Sequence, residues 1–188
     1  MATTADLRNG LTIEFKNDLY QVVEFQHVKP GKGGAFVRTK LKNVITGRVI
    51  EQTFRSGENV DIIRLEARKM QYLYVEDDLY FFMDQETYEQ IHLERKQIGD
   101  DVQFLKEGEI CDVLFRGDTP LSITLPYFIV YKIVQTEPGV RGDTAQGGAT
   151  KPAKIESGAT VQVPLFVEQG EKIRVDTRSH EYMERVKE

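Results

Sequence analysis

Short strand-like runs recur along almost the whole chain, and they leave little room for any fold but a β one. "LTIEFK", "LYQVVEFQHV", "AFVRTKL", "RVIEQTF", "MQYLYV", "LYFFM", "ICDVLF", "LSITL", "FIVYKIV", "TVQVPLFV" and "EKIRV" are rich in β-branched and aromatic residues. Turn signals such as "KND", "SGEN", "EDD", "RGDTP" and "TEPG" separate them. Closely spaced strands without crossover helices predict small barrels rather than a parallel sheet. One short helix is expected in "GDDVQFLKEGE", with Asp100 or Asp101 as its cap, Val102 and Leu105 on one face and Gly108 at its end. Residues 137–158 are poor in large apolar side chains and read as a long exposed loop.

A chain of 188 residues has room for one large domain or for two to three small ones. Its single cysteine, Cys111, excludes an internal disulfide and a cysteine-built zinc site, and suits a reducing compartment. The opening "MATTADLRNG" lacks the apolar core of a signal peptide, and no stretch approaches the ~18 apolar residues of a membrane span. The reading is a soluble, cytoplasmic protein without a membrane partner.

The net charge of -5 conceals a gradient. Residues 1–64 hold 10 basic and 7 acidic side chains, residues 65–127 hold 6 and 14, and residues 128–188 hold 9 of each. These shifts, with a second break near Pro126, predict three domains: 1–64, 65–127 and 128–188. Between Phe25 and Ile50 there are six basic residues and no acidic one. A basic segment around a loop is the footprint of a phosphate-backbone contact, though a solvated strand face has the same composition.

At the centre of that segment stands "VKPGKGGAFVRTK". Pro30 and Gly31 fit the second and third positions of a type II turn, the third requiring positive φ. Lys32 follows, and Gly33 and Gly34 leave a bare backbone that another molecule can approach closely. Downstream, period two places Val37, Thr39 and Leu41 on one face and Arg38, Lys40 and Lys42 on the other. With Lys29, these last three are the candidate phosphate contacts.

No catalytic constellation accompanies the loop. "GKGG" has neither the spacing nor the following Ser or Thr of a P-loop, and Phe36 stands where a dinucleotide motif needs its last glycine. His27, His92 and His180 are scattered, without metal-ligand spacing. Cys111 lies in an apolar run and reads as a buried filler. The acids of the middle segment fall in turns or alternate outward, which does not suit a paired-carboxylate hydrolase. "RGD" at Arg141–Asp143 matches an integrin-binding tripeptide, but nothing indicates secretion.

"VKPGKGGAFVRTKLKN", "QTFRSGE", "LYFFMDQETYEQ", "LPYFIVYKIVQTEPGVRGDTA" and "KPAKIESGATVQVPLFVEQGEKIRVDTRSHEYMERVK", in this order and spacing, resemble the bacterial elongation factor P family over essentially the whole chain. The resemblance implies an SH3-like first domain and two oligonucleotide-binding-fold (OB) barrels in an L-shaped arrangement. It implies a non-enzymatic translation factor that binds both ribosomal subunits beside the peptidyl-tRNA and promotes peptide-bond formation at consecutive prolines. Lys32 stands where the family carries its modified tip residue, directed at the CCA end, and Pro30, Gly31, Gly33 and Gly34 match the loop that presents it. A Lys32-modifying enzyme is therefore implied as a partner, while lysine itself does not name the attached group. Gly142, Asp143 and Thr144 match the family's loop near the exit-site codon of the mRNA. Tyr182 and Arg185 match the tail beside the tRNA. No cofactor or metal is implied, and a monomer suits a tRNA-sized site. The alternative is a paralogue of the family acting as a nucleic-acid-binding or chaperone-like barrel protein elsewhere.

Overall fold

The computed structural model describes residues 2–31, 33–138 and 149–186. Three antiparallel sheets account for nearly all of the regular structure, and they succeed one another along the chain.

The first sheet joins β1 (Ala2–Thr3), β2 (Thr12–Phe15), β3 (Asp18–Val28), β4 (Phe36–Asn43), β5 (Val49–Arg55) and β6 (Asn59–Ile63), in the order β1-β6-β2-β3-β4-β5. Lys16 and Asn17, both at positive φ, make the two-residue turn between β2 and β3, the geometry whose twist matches paired strands. Leu7, Ile13, Val22, Val37, Leu41, Phe54 and Val60 form one buried cluster. The alternation expected on β4 holds: Val37, Thr39 and Leu41 are buried while Arg38, Lys40 and Lys42 are exposed. Thr39 is tolerated inside because its hydroxyl donates to the Gln52 carbonyl at 2.8 Å.

The second sheet has the order β11-β10-β7-β8-β9, built from β7 (Glu66–Glu76), β8 (Leu79–Asp84), β9 (Gln90–Glu94), β10 (Ile110–Arg116) and β11 (Thr119–Thr124). Met70, Phe82, Leu93 and Val113 are buried on its inner side. Cys111 is buried with them, and burial pushes its thiol up to about 12, so it stays protonated and inert at neutral pH. The helical segment lies further upstream than the sequence predicts. A single α-helical turn, α1 (Arg95–Ile98), is capped by Glu94 and Gln97, and a 3-10 stretch follows at Gly99–Phe104. Gly99, at φ 71°, ends α1 just before the expected caps Asp100 and Asp101, and Gly108 serves a turn instead.

The third sheet has the order β14-β13-β12-β15-β16, from β12 (Phe128–Thr136), β13 (Thr150–Ile155), β14 (Thr160–Pro164), β15 (Lys172–Asp176) and β16 (Glu181–Val186). Strand β13 overturns the reading of residues 137–158 as one loop. Lys151, Ala153 and Ile155 alternate inward and are buried. The buried Lys151 ammonium donates to the Glu137 carbonyl at 2.7 Å, and Thr136 supplies a hydroxyl donor to the Pro152 carbonyl. A strand carrying two lysines and a proline has no sequence signature of its own, because its inward residues are small or amphipathic.

By contacts, the chain divides into two compact units that do not follow the sheets one for one. One holds Met1–Ala67 with Leu114–Leu121, and the other holds Arg68–Val113 with Ser122–Glu188.

Candidate functional site

The β3–β4 hairpin is paired from Tyr20 opposite Asn43 to Val28 opposite Phe36, which leaves Lys29–Ala35 as its loop. Lys29, Pro30, Gly31, Gly33 and Gly34 are all exposed. The return of the loop is fixed by Ser56, whose N–H donates to the Ala35 carbonyl at 3.0 Å. Lys32 itself lies outside the described residues, as do Gly142, Asp143 and Thr144.

The expected type II turn on Pro30 and Gly31 does not form. Positive φ falls on Gly33, at 118°, and not on Gly31. Pairing stops at Val28 and Phe36, and the left-handed position comes two residues later than expected. A Cβ at Gly33 would meet Pro30 at 3.8 Å, whereas at Gly31 and Gly34 it would meet nothing within 4 Å. Only Gly33 is therefore required by the chain's own backbone. Gly33→Ala is expected to cost on the order of 1 kcal/mol through strain. Gly31→Ala and Gly34→Ala should stay within about 0.5 kcal/mol of the parent. Urea unfolding separates the cases; an equal loss at Gly34 would mean that its glycine serves the fold.

Along β4, the basic face is less uniform than the sequence suggests. Lys40 forms an ion pair with Glu24 at 2.7 Å, and the register places Glu24 and Glu51 on either side of it. The Glu24 carboxylate raises the lysine's pKa above its usual value. Both acids lie just outside the acid-free window Phe25–Ile50, and strand pairing brings them in. Arg38 and Lys42 have uncharged cross-strand neighbours: Gln26 and Thr53 for Arg38, Gln21 and Val49 for Lys42. The Arg38 guanidinium lies 5.5 Å from the Phe36 ring centre, which holds it near the loop end of the strand.

Tyr182 and Arg185 sit on β16, opposite Val175 and Ile173 of β15. Tyr182 is half-buried, and that burial raises its pKa. Arg185 donates to Glu171 at 2.9 Å and lies 5.7 Å from the ring centre of the exposed Phe166. β14 ends at Pro164, but the alternation of Val161 and Val163 carries on to the buried Val167 and turns Phe166 outward. Among the described residues, no group of three or more His, Cys, Asp or Glu side chains is placed to hold a metal ion. Among those same residues, no helix is long and apolar enough to cross a membrane.

Three family profiles match in succession. The elongation factor P KOW-like domain covers residues 3–60, the elongation factor P OB domain 65–123, and the elongation factor P C-terminal domain 129–185. Proteins named elongation factor P from Natranaerobius thermophilus and Moorella thermoacetica are 54% and 55% identical. These alignments cover 100% and 98% of this chain, and 99% and 100% of the relatives. Among solved structures, a translation initiation factor 5A family protein from Naegleria fowleri aligns at TM-score 0.54 and 14% identity, covering 66% of this chain and 96% of its own. Eukaryotic translation initiation factor 5A from Methanococcus jannaschii aligns at TM-score 0.50 and 22% identity, over 66% of this chain and 93% of its own. At those identities the likeness is one of fold: small β-barrels of KOW-like and OB type. Full-length identity above half, together with all three family domains in order, places the chain in the elongation factor P family.

Proposed function

We propose that this translation factor binds the ribosome beside the peptidyl-tRNA and promotes peptide-bond formation at consecutive prolines by positioning the CCA end. Lys32 is the reaching residue, and a modifying enzyme extends its amine. The observation that carries this reading is the loop Lys29–Ala35, where Gly31 and Gly34 meet no packing or backbone demand of this chain. Glycine costs conformational entropy wherever it is ordered, so bare backbone at those positions suits a close approach by another molecule.

Proline, with fixed φ and a constrained nitrogen, is a poor peptidyl donor and acceptor. Holding the peptidyl-tRNA in reactive alignment lowers the entropic part of the barrier and needs no acid or base from the factor. Lys29, Arg38 and Lys42 would meet backbone phosphates without reading sequence, with Lys40 contributing less because Glu24 neutralises it. Gly142, Asp143 and Thr144 would lie by the mRNA at the exit site, and Tyr182 and Arg185 by the tRNA. On this reading the domains run 1–64, 65–127 and 128–188, and the factor works as a cytoplasmic monomer.

The test is reconstituted translation of one reporter containing a proline run and one without. Adding the protein should relieve pausing at the run and leave the control unchanged. Equal effects on both reporters, or none on either, would overturn the proline-specific role.

A further inference from the structure

A row of aromatic side chains crosses the outer surface of the second sheet. Tyr74 on β7 pairs with Phe81 on β8, and Phe81 pairs with His92 on β9. The Tyr74 and Phe81 rings stack with centres 4.8 Å apart and planes 20° apart, and the His92 ring centre is 5.9 Å from that of Phe81. Simple alternation would turn Tyr74 inward like Tyr72, which is buried opposite Phe82. A register shift between Tyr72 and Tyr74 inserts one residue and re-aims Tyr74 outward, where it is 41% exposed.

Leu79 and Met83 share the outer side of β8 with Phe81, so an apolar column runs the length of the strand. At one end, Glu76 and Glu94 flank Leu79, and the turn at Asp77 and Asp78 adds two more carboxylates. At the other end, Gln71 and Gln90 flank Met83. An exposed Lys96 pairs with Glu94 at 2.7 Å, and such surface pairs are readily exchanged.

We infer that this face is a docking surface for a basic protein segment. Lysine or arginine stems would lie along Leu79, Phe81 and Met83, with their charged heads over the Tyr74–Phe81 stack and against Glu76. OB barrels commonly bind nucleic acid on their second and third strands, and exposed aromatics are the platforms that bases use. Here the charge decides against phosphate: residues 65–127 carry 14 acids against 6 bases, and the carboxylates crowd one end of the apolar column. The same potential attracts a cationic chain. This inference does not depend on the proline-specific reading.

The test is amide NMR of the 15N-labelled full chain with a peptide of about twelve residues alternating arginine and leucine. Its acidic counterpart and an oligouridine of about the same length serve as the other two probes. Shifts should concentrate at Tyr74, Glu76, Phe81, His92 and Glu94, and only with the basic peptide. Tyr74→Ser, which changes no charge, should weaken binding about fivefold, the size of one cation–π contact. Glu76→Gln with Glu94→Gln, which keeps the aromatics, should weaken it comparably and flatten its salt dependence. Tyr74→Leu checks the aromatic requirement should Tyr74→Ser unfold the sheet, and it too should lose affinity. Shifts scattered over the acidic surface and indifferent to Tyr74 would reduce the effect to plain charge attraction and overturn the proposal. Equal shifts with oligouridine would replace it with a base-stacking platform.

Discussion

Lys32→Ala is expected to abolish the relief of pausing at a proline run while the protein still folds and still binds the ribosome. If alignment is the whole contribution, losing the reaching group should slow proline–proline bond formation on the order of 10²-fold, the scale of small misplacements in positioned reactions. The fold should not register the change, since the neighbours Gly31 and Gly33 are exposed and Gly31 has open space around it. Lys32→Arg separates two forms of the idea. A guanidinium keeps the charge but changes shape and cannot carry the same attachment. Arginine that rescues would mean that a bare cation suffices, and arginine that fails would point to a lengthened amine. Intact mass and peptide mass spectrometry on protein from its native host then read the modification directly. The positioning mechanism falls if Lys32→Ala supports proline-run synthesis as well as the parent does.

Legibility of the fold followed the strength of local patterns. Where β-branched and aromatic residues alternate, as on β4, the sequence alone predicts which side chains are buried. It passes over β13, because Lys151 and Ala153 do not look like core and yet both are buried. Strand β9 has a single fully buried residue, Leu93, and so carries too little apolar signal to stand out. The α-helical turn falls before the expected segment, which is 3-10 instead, for a different reason. Asp100 and Asp101 resemble caps, but Gly99 at positive φ breaks the helical path just before them.

At the candidate site, the electrostatics of the basic strand are not legible in the sequence. Counting charge along the chain isolates Lys40 from acids, yet register places Glu24 and Glu51 beside it. Cross-strand neighbours are distant in sequence, so a linear window cannot see them. The same limit hid the aromatic row on the second sheet, whose outward turn at Tyr74 depends on a bulge. No composition rule forecasts an inserted residue.

The largest expected loss of stability comes from Phe104→Ala. Phe104 ends the 3-10 stretch with 2% of its surface exposed, and its ring stacks on His180 at 4.2 Å and meets Tyr131 edge-on at 6.4 Å. Its carbonyl accepts the Tyr131 hydroxyl, which burial holds firmly in the protonated, donating form. Two residues on, Lys106 donates to the Val130 carbonyl at 2.8 Å and pairs with Glu156 at 3.0 Å. The segment 99–106 thus ties the second sheet to the third within one compact unit. Removing the ring should cost about 3–5 kcal/mol, as buried phenylalanine truncations do. Tyr131→Phe, which only leaves the Phe104 carbonyl unpaired, should cost about 1–3 kcal/mol. Amide exchange on the intact chain distinguishes a tie from local packing. If Phe104 couples the two sheets, Phe104→Ala lowers protection in β7 and β12 together, since both then open without the other. Loss confined to residues 99–106 would mean that the sheets are stabilised independently and that the aromatic cluster only fills space.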